Sequence, residues 1–307
     1  MAQKAVRMTV PDLAQDVRGG LERPQEPLGP RILKWGITLA IIIPVIWAAI
    51  GLEITPARIA RAPADILRLA NGMWPPDFSD PGRIFEKIME SLYVAWVGTI
   101  IGASLSFPLA FLAATNISPR WINLPVRGFL SAVRAFPELV LAIMFIPAFG
   151  LGPLAGALAI GLHSIGTLGK LSSEVIEGVA EGPIEAIRAS GGTRAAQMRF
   201  GIIPQAMPTI VAYWLFRFEI NIRASAVLGV IGAGGIGNEI ISRMAFRADW
   251  GKALASLLVL IAVVLLIDSA SAAVRRRIIT GQPSTGPLSK WTVAILGVPR
   301  TPDTEIP

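Results

Sequence analysis

No cysteine occurs in the 307 residues, which excludes disulfides, thiolate metal sites and a cysteine nucleophile. A single histidine, His163, leaves no histidine cluster for a metal, and the strings H-E-x-x-H and G-x-S-x-G are absent, so little remains for an enzyme. Charge is scarce as well. Asp, Glu, Lys and Arg make up 16% of the chain against 53% apolar residues, which is not a water-soluble composition. The net charge of +7 does not point to nucleic acid, because the basic residues stand at the ends of apolar segments rather than gathered with aromatics on one face.

What is abundant is apolar length. Runs near twenty residues recur, and at ~1.5 Å rise per residue each crosses a hydrocarbon core of roughly 30 Å. They predict an all-α polytopic membrane protein with about six transmembrane helices. A polar, Pro- and Gly-rich tail at 1–31 precedes a first span at 32–52, which is too long for a signal-peptide core and lacks a convincing cleavage site. Residues 53–85, with mixed charge and several prolines, form an external loop holding a short amphipathic helix near 64–70. A core at 86–274 follows, with spans at about 91–114, 128–149, 154–172, 209–230 and 254–273, an inner loop at 173–208 and an external segment at 231–250. Gly98 and Gly102 give the first core span a small-residue face for close helix contact. Arg120, Arg127 and the run Arg275, Arg276, Arg277 mark inside loops and place both termini, including the tail at 275–307, in the cytoplasm.

Two nucleotide-like strings are false leads. Gly232, Gly234 and Gly237 fit G-x-G-x-x-G, but that fingerprint needs a strand before it, and here a membrane span precedes it. A glycine-rich break that lets the backbone turn is the better reading. Gly169 and Lys170 resemble the end of a P-loop, yet Ser164 and Leu171 stand where a glycine and a Ser or Thr are needed. The chain has no ATP site of its own, so active transport requires a separate ATPase.

Ionisable residues within spans each cost several kcal/mol unless paired or hydrated. Arg134 with Glu138, Glu219 with Arg223, and Lys170 with Glu174 stand one helical turn apart, so each predicts a self-neutralising i,i+4 pair. Arg217 has no such acid and shares a face with Asn221. Counted from the inner ends, Arg217 and Glu138 reach similar depth, about 12 to 15 Å in, and His163 lies mid-span on the fourth helix. Arg217, Asn221, Glu219, Arg223, Arg134, Glu138 and His163 are therefore the candidate lining of a hydrated anion pathway. The alternative is a set of structural ion pairs that hold helices together.

Residues 185–208 form a polar island between two apolar segments, with helix formers up to Ser190, an interruption at Gly191 and Gly192, a capping Thr193, and a second helix that ends near Gly201 and Pro204. Glu185, Ala186, Gly191 and Pro204 match the spacing of the EAA loop, by which permeases of ABC importers engage their ATPase subunits. Ile187, in place of the motif's second Ala, and Gly201, at an apolar position, depart from it. With RAFPELVLA from Arg134, GLGPLAGALAIGLHSIGTLGKL from Gly150 and RFEINIRASAVLGVIGAGGIG from Arg217, the core resembles the permease subunit of phosphonate-type ABC importers. That resemblance implies the type I ABC importer permease fold and an inner-membrane homodimer. It also implies two ATPase subunits that carry ATP and Mg, a periplasmic substrate-binding protein, and a phosphorus oxyanion as substrate, with no cofactor or metal on this chain. An ion-coupled secondary transporter of small anions would account for the intramembrane charges but not for the loop, and inverted repeats that would favour it are not seen.

Overall fold

A computed structural model describes residues 28–53 and 55–280, and every regular element among them is helical. Most of both expected tails lies outside the described residues. The chain divides into two compact units, Met1–Leu69 and Ala70–Pro307. The first holds α1 (Leu28–Gly51) and most of α2 (Pro56–Met73). The stretch Leu33–Gly51 is long and apolar enough to cross a membrane, and none of it is buried in protein. Apolar residues all round a helix with no protein cover are the pattern of a span set in lipid.

The second unit holds α3 (Pro81–Ala113), α4 (Arg120–Ala135), α5 (Glu138–Phe149), α6 (Pro153–Glu177) and α7 (Glu181–Ala189). Then come α8 (Arg194–Ala196), a π-helical turn (Gln197–Ile202) and α9 (Ile203–Val230) in one run. The chain continues with α10 (Gly235–Ile241), a second π-helical turn (Ser242–Phe246) and α11 (Trp250–Thr280). Pro81 and Pro153 stand in the first turns of α3 and α6, where a missing N–H costs nothing, and Asp80 Oδ1 accepts from the Arg83 backbone N–H to cap α3.

The centre of this unit is the crossing of α3 with α6, and its glycines are what bring the two helices together. A Cβ on Gly98 would come within 2.6 Å of Ile160 Cγ2, one on Gly161 within 2.9 Å of Ile101 Cγ2, and one on Gly102 would meet Ser164. The small-residue face read at Gly98 and Gly102 is thus the face that packs on α6. Around the crossing, Val94, Leu141, Ala157, Ile160 and Leu228 form one core cluster, and Ala110, Ile176, Ile202, Ala206 and Ile210 another towards the far ends of α3 and α6.

Two expectations need correction. The third expected span, 128–149, is not one helix: α4 and α5 meet at 88°. Pro137 has no N–H to donate and drives Phe136 out of the helical region to φ −78°, ψ 125°, so the helix cannot run through. Five helical spans and this bent pair together give up to six crossings. The second helix of the polar island does not end near Gly201 and Pro204. A π-turn, in which the Ile203 N–H donates to Met198 O, takes up the register change ahead of Pro204, and the helix continues to Val230.

Residues 231–250, the expected external segment, fold back as α10 and a π-helical turn and bury Ile236, Glu239 and Arg243. Gly232, Gly234 and Gly235 all have φ between +72° and +97°, which makes the turn. Gly237 lies against the Ala226 carbonyl so closely that any Cβ would collide with it, so the last glycine of the string serves helix contact and not phosphate.

Enlarging Gly102 to Leu should overpack the α3–α6 crossing at a cost of about 1 to 3 kcal/mol and lower the melting temperature of the purified protein. Gly128→Leu, where no atom lies within 4 Å of the new Cβ, should not lower it. Equal melting of the two variants would contradict this packing.

Candidate translocation cluster and coupling elbow

Arg217 lies near the middle of α9 and is 5% exposed. Its Nε donates to Ser164 Oγ on α6 at 2.9 Å, and its Nη2 donates to Glu138 Oε1 on α5. The break at Pro137 is what puts Glu138 there, in the first turn of α5, where the helix N-terminus favours negative charge. His163 Nδ1, also on α6, lies 2.7 Å from the same carboxylate oxygen and 2.7 Å from Arg217 Nη2. With a proton that nitrogen donates to Glu138, and with a lone pair it accepts from Arg217, so His163 serves one neighbour at a time.

One turn beyond Arg217, Asn221 Nδ2 donates to Thr99 Oγ1 on α3 at 2.8 Å and to Ser164 Oγ at 3.3 Å, while Thr99 Oγ1 donates to Ala95 O at 2.6 Å. Asn221 Oδ1 is buried with no donor among the described residues. Four helices thus contribute to one polar cluster. Ser164 and Thr99 were not singled out from sequence, since hydroxyls in a small-residue helix look like packing residues until their partners are known.

The other candidates lie elsewhere. Arg134 is exposed at the end of α4 and, with the helix broken after it, does not pair with Glu138. Glu219 and Arg223 do not pair with each other either. Glu219 accepts from Arg275 Nη1 at 2.5 Å, and Arg223 Nη2 donates to Asp268 Oδ2 at 2.6 Å, so both fasten α9 to α11. Of the three expected i,i+4 pairs, Lys170 with Glu174 is present, at 3.3 Å.

A further ionic cluster, at the N-terminal end of α3, went unread in the sequence. Glu239 Oε1 accepts from Arg83 Nε at 2.7 Å and from Arg243 Nε at 2.6 Å, and Arg243 Nη2 reaches Asp80 Oδ2 at 3.2 Å. The Ile236 N–H donates to Ser91 Oγ at 2.9 Å. These bonds fasten α10 to α3. The i,i+4 spacing of Glu239 and Arg243 was the available signal. In the neighbouring loop, the Ser79 backbone N–H donates to Asp77 and holds its carboxyl below the ordinary range.

At the opposite ends of the helices stands the elbow. Glu185, Ala186, Gly191 and Pro204 are all exposed. Gly191, at φ +78°, closes α7, with the Gly192 N–H donating to Ile187 O at 2.8 Å, and Thr193 Oγ1 accepts from the Ala196 N–H to start α8. Behind this exposed edge the elbow is held. A Cβ on Gly201 would lie 3.1 Å from Ile184 Cγ1 and 3.4 Å from Ile187 Cδ1. The two departures from the motif are therefore one compensated contact, a large Ile187 facing a Gly201 that leaves room for it. The Gln205 amide completes the attachment, accepting from the Ala180 N–H at 3.1 Å and donating to the Gly201 carbonyl at 2.6 Å.

Breaking a buried ion pair costs about 3 to 5 kcal/mol, whereas replacing both members costs far less. Arg217→Gln and Glu138→Gln should each lower the melting temperature, and the double variant should recover much of the loss. Additive losses in that cycle would contradict a direct pair.

Residues 106–280 match the family described as binding-protein-dependent transport system inner membrane component. The phosphite transport system permease protein PtxC of Stutzerimonas stutzeri is 39% identical over 212 residues, 69% of this chain and 77% of that protein. The phosphate-import permease protein PhnE of Mycolicibacterium smegmatis is 34% identical over 255 residues, 82% of this chain, and the chain spans 48% of that protein's length. Among solved structures, a chain of the inward-facing MetNI methionine ABC transporter is similar in fold, with a TM-score of 0.59 at 21% identity over 65% of this chain and 99% of that one. An amino acid ABC transporter chain gives a TM-score of 0.56 at 21% identity over 66% of this chain and 98% of its own length. With its apolar helices, type I importer permease fold and matched family region, this chain belongs to the binding-protein-dependent transport system inner membrane components.

Proposed function

We propose that this chain is the membrane subunit of an importer for a small phosphorus oxyanion, namely a phosphonate, phosphite, hypophosphite or phosphate, driven by ATP hydrolysis on separate subunits. It works as a homodimer with two ATPase subunits docked at the elbow and a binding protein on the opposite membrane face. ATP and Mg belong to the ATPases, and this chain carries no cofactor. The elbow face is cytoplasmic, as are both termini, and residues 53–85 lie outside. Phosphorus oxyanions are named by relatives at 34% and 39% identity.

The observation that carries the reading is the elbow. Glu185, Ala186, Gly191 and Pro204 are exposed, while Ile184, Ile187 and Gln205 hold the same segment to the membrane helices. An edge that is rigid behind and bare in front is suited to transmit force to a partner.

Arg217, Asn221, Glu138 and His163 form the polar part of the pathway. A guanidinium presents paired N–H donors that match a tetrahedral oxyanion. An anion that competes with Glu138 for Arg217 can pass without a permanent charge being left bare. Arg134, Glu219 and Arg223 take no direct part in this scheme.

Uptake of labelled phosphate, phosphite, hypophosphite and methylphosphonate by the assembled transporter tests the substrate class, with ATP-dependent uptake of at least one expected and of none contradicting it. Glu185→Lys, on an exposed edge, should leave the permease's melting temperature unchanged yet uncouple ATP hydrolysis from uptake, and Gly191→Val, which strains a backbone held at φ +78°, should also uncouple it by removing the bend. Full coupling in both variants would overturn the docking role. Arg217→Gln should block uptake, and restored uptake in the Glu138, Arg217 double variant would exclude a substrate role for the arginine.

A further inference from the structure

The helix α2 has two distinct faces. Ile59, Pro63, Ile66, Ala70 and Met73 recur at helical spacing along one side, flanked by Leu67 and Leu69, while Arg58, Arg61, Asp65 and Arg68 line the other. No residue of α2 is buried, and Ile59, Ile66 and Leu67 are all more than 60% exposed. A second copy or a soluble partner could cover such a stripe, but the chain itself restricts the choice. The segment between α1 and α3 joins two membrane-spanning helices and so stays at one bilayer face, four residues from the end of one span and seven from the start of the next. Lipid is already beside it.

Two further features fit that neighbour. Trp74, 70% exposed, directly follows α2, and Trp47, 78% exposed, lies near the end of α1, where indole rings favour the headgroup region. The charged face carries three arginines against one aspartate, a net +2. The pairs Arg58–Glu53 and Arg68–Asp65 are solvent-exposed and weak, and Arg61 has no ion-pair partner among the described residues. These guanidinium groups are therefore available to phosphate.

We infer that α2 is an interfacial helix, lying in the plane of the bilayer surface with the Ile59, Ile66 and Met73 side among acyl chains and its arginines bound to anionic phospholipid headgroups. Helices of this kind bind through buried apolar area and basic charge together.

The absence of cysteine in this chain makes the test direct. Single variants Ile66→Cys, Ala70→Cys, Arg61→Cys and Asp65→Cys of the full chain are spin-labelled in phosphatidylcholine vesicles with and without phosphatidylglycerol. Accessibility to oxygen, which concentrates in lipid, is compared with accessibility to a water-soluble nickel chelate. The expected result is oxygen-dominated relaxation at 66 and 70 and nickel-dominated relaxation at 61 and 65. Phosphatidylglycerol should raise the oxygen-to-nickel ratio at 66, and Arg61→Gln with Arg68→Gln should abolish that increase. Nickel-dominated relaxation at all four positions would place the helix in water. Low accessibility to both reagents at 66 and 70 would mean a protein covers the stripe, and a ratio insensitive to phosphatidylglycerol would remove the headgroup contact. Each of these three results overturns the inference.

Discussion

A guanidinium buried near the middle of a membrane helix is costly, and the arrangement around Arg217 meets that cost. Its charge is met by Glu138 and its Nε by Ser164, from two different helices. For the acid to arrive, α4 and α5 must break at Pro137. The hydroxyl comes from α6, whose Ser164 packs against Gly102 of α3 on one side and meets Arg217 of α9 on the other. The close α3–α6 crossing also brings Thr99 of α3 within reach of Asn221, one turn from the arginine.

The same helix ties the cluster to the elbow. From Arg194 onward the chain is helical through the π-turn and α9, so about 35 Å of continuous helix at ~1.5 Å per residue separates the start of α8 from Arg217. Gln205 and the Ile187–Gly201 contact fasten its near end to α7. A displacement at the exposed edge thus has a stiff route to the polar cluster. Just beyond Arg217, Glu219 and Arg223, bound to Arg275 and Asp268, brace α9 against α11.

Much of this was legible in the sequence because it is local. Apolar length fixed the spans, the Gly191–Thr193 punctuation fixed the elbow, and the lack of an acid one turn from Arg217 marked it as needing a distant partner. Local rules failed where distance took over. The i,i+4 rule paired Glu219 with Arg223 and Arg134 with Glu138, yet oppositely charged groups on α11 and a proline break decided otherwise. Residues 231–250 read as an external segment, with no role drawn from Glu239 and Arg243. They are buried all the same, since Arg83 and Asp80, more than 150 residues away in sequence, complete their pairing.

The central claim is that the bare edge of the elbow is where the ATPase sits. A photo-crosslinking amino acid placed at Glu185 in the assembled transporter tests it directly, with the same group at Ser79, beyond the other end of the helices, as the control. The account predicts an adduct with the ATPase subunit from position 185 and none from position 79. An ATPase adduct from position 79, or its absence from 185 in a complex that still hydrolyses ATP and transports, would contradict it.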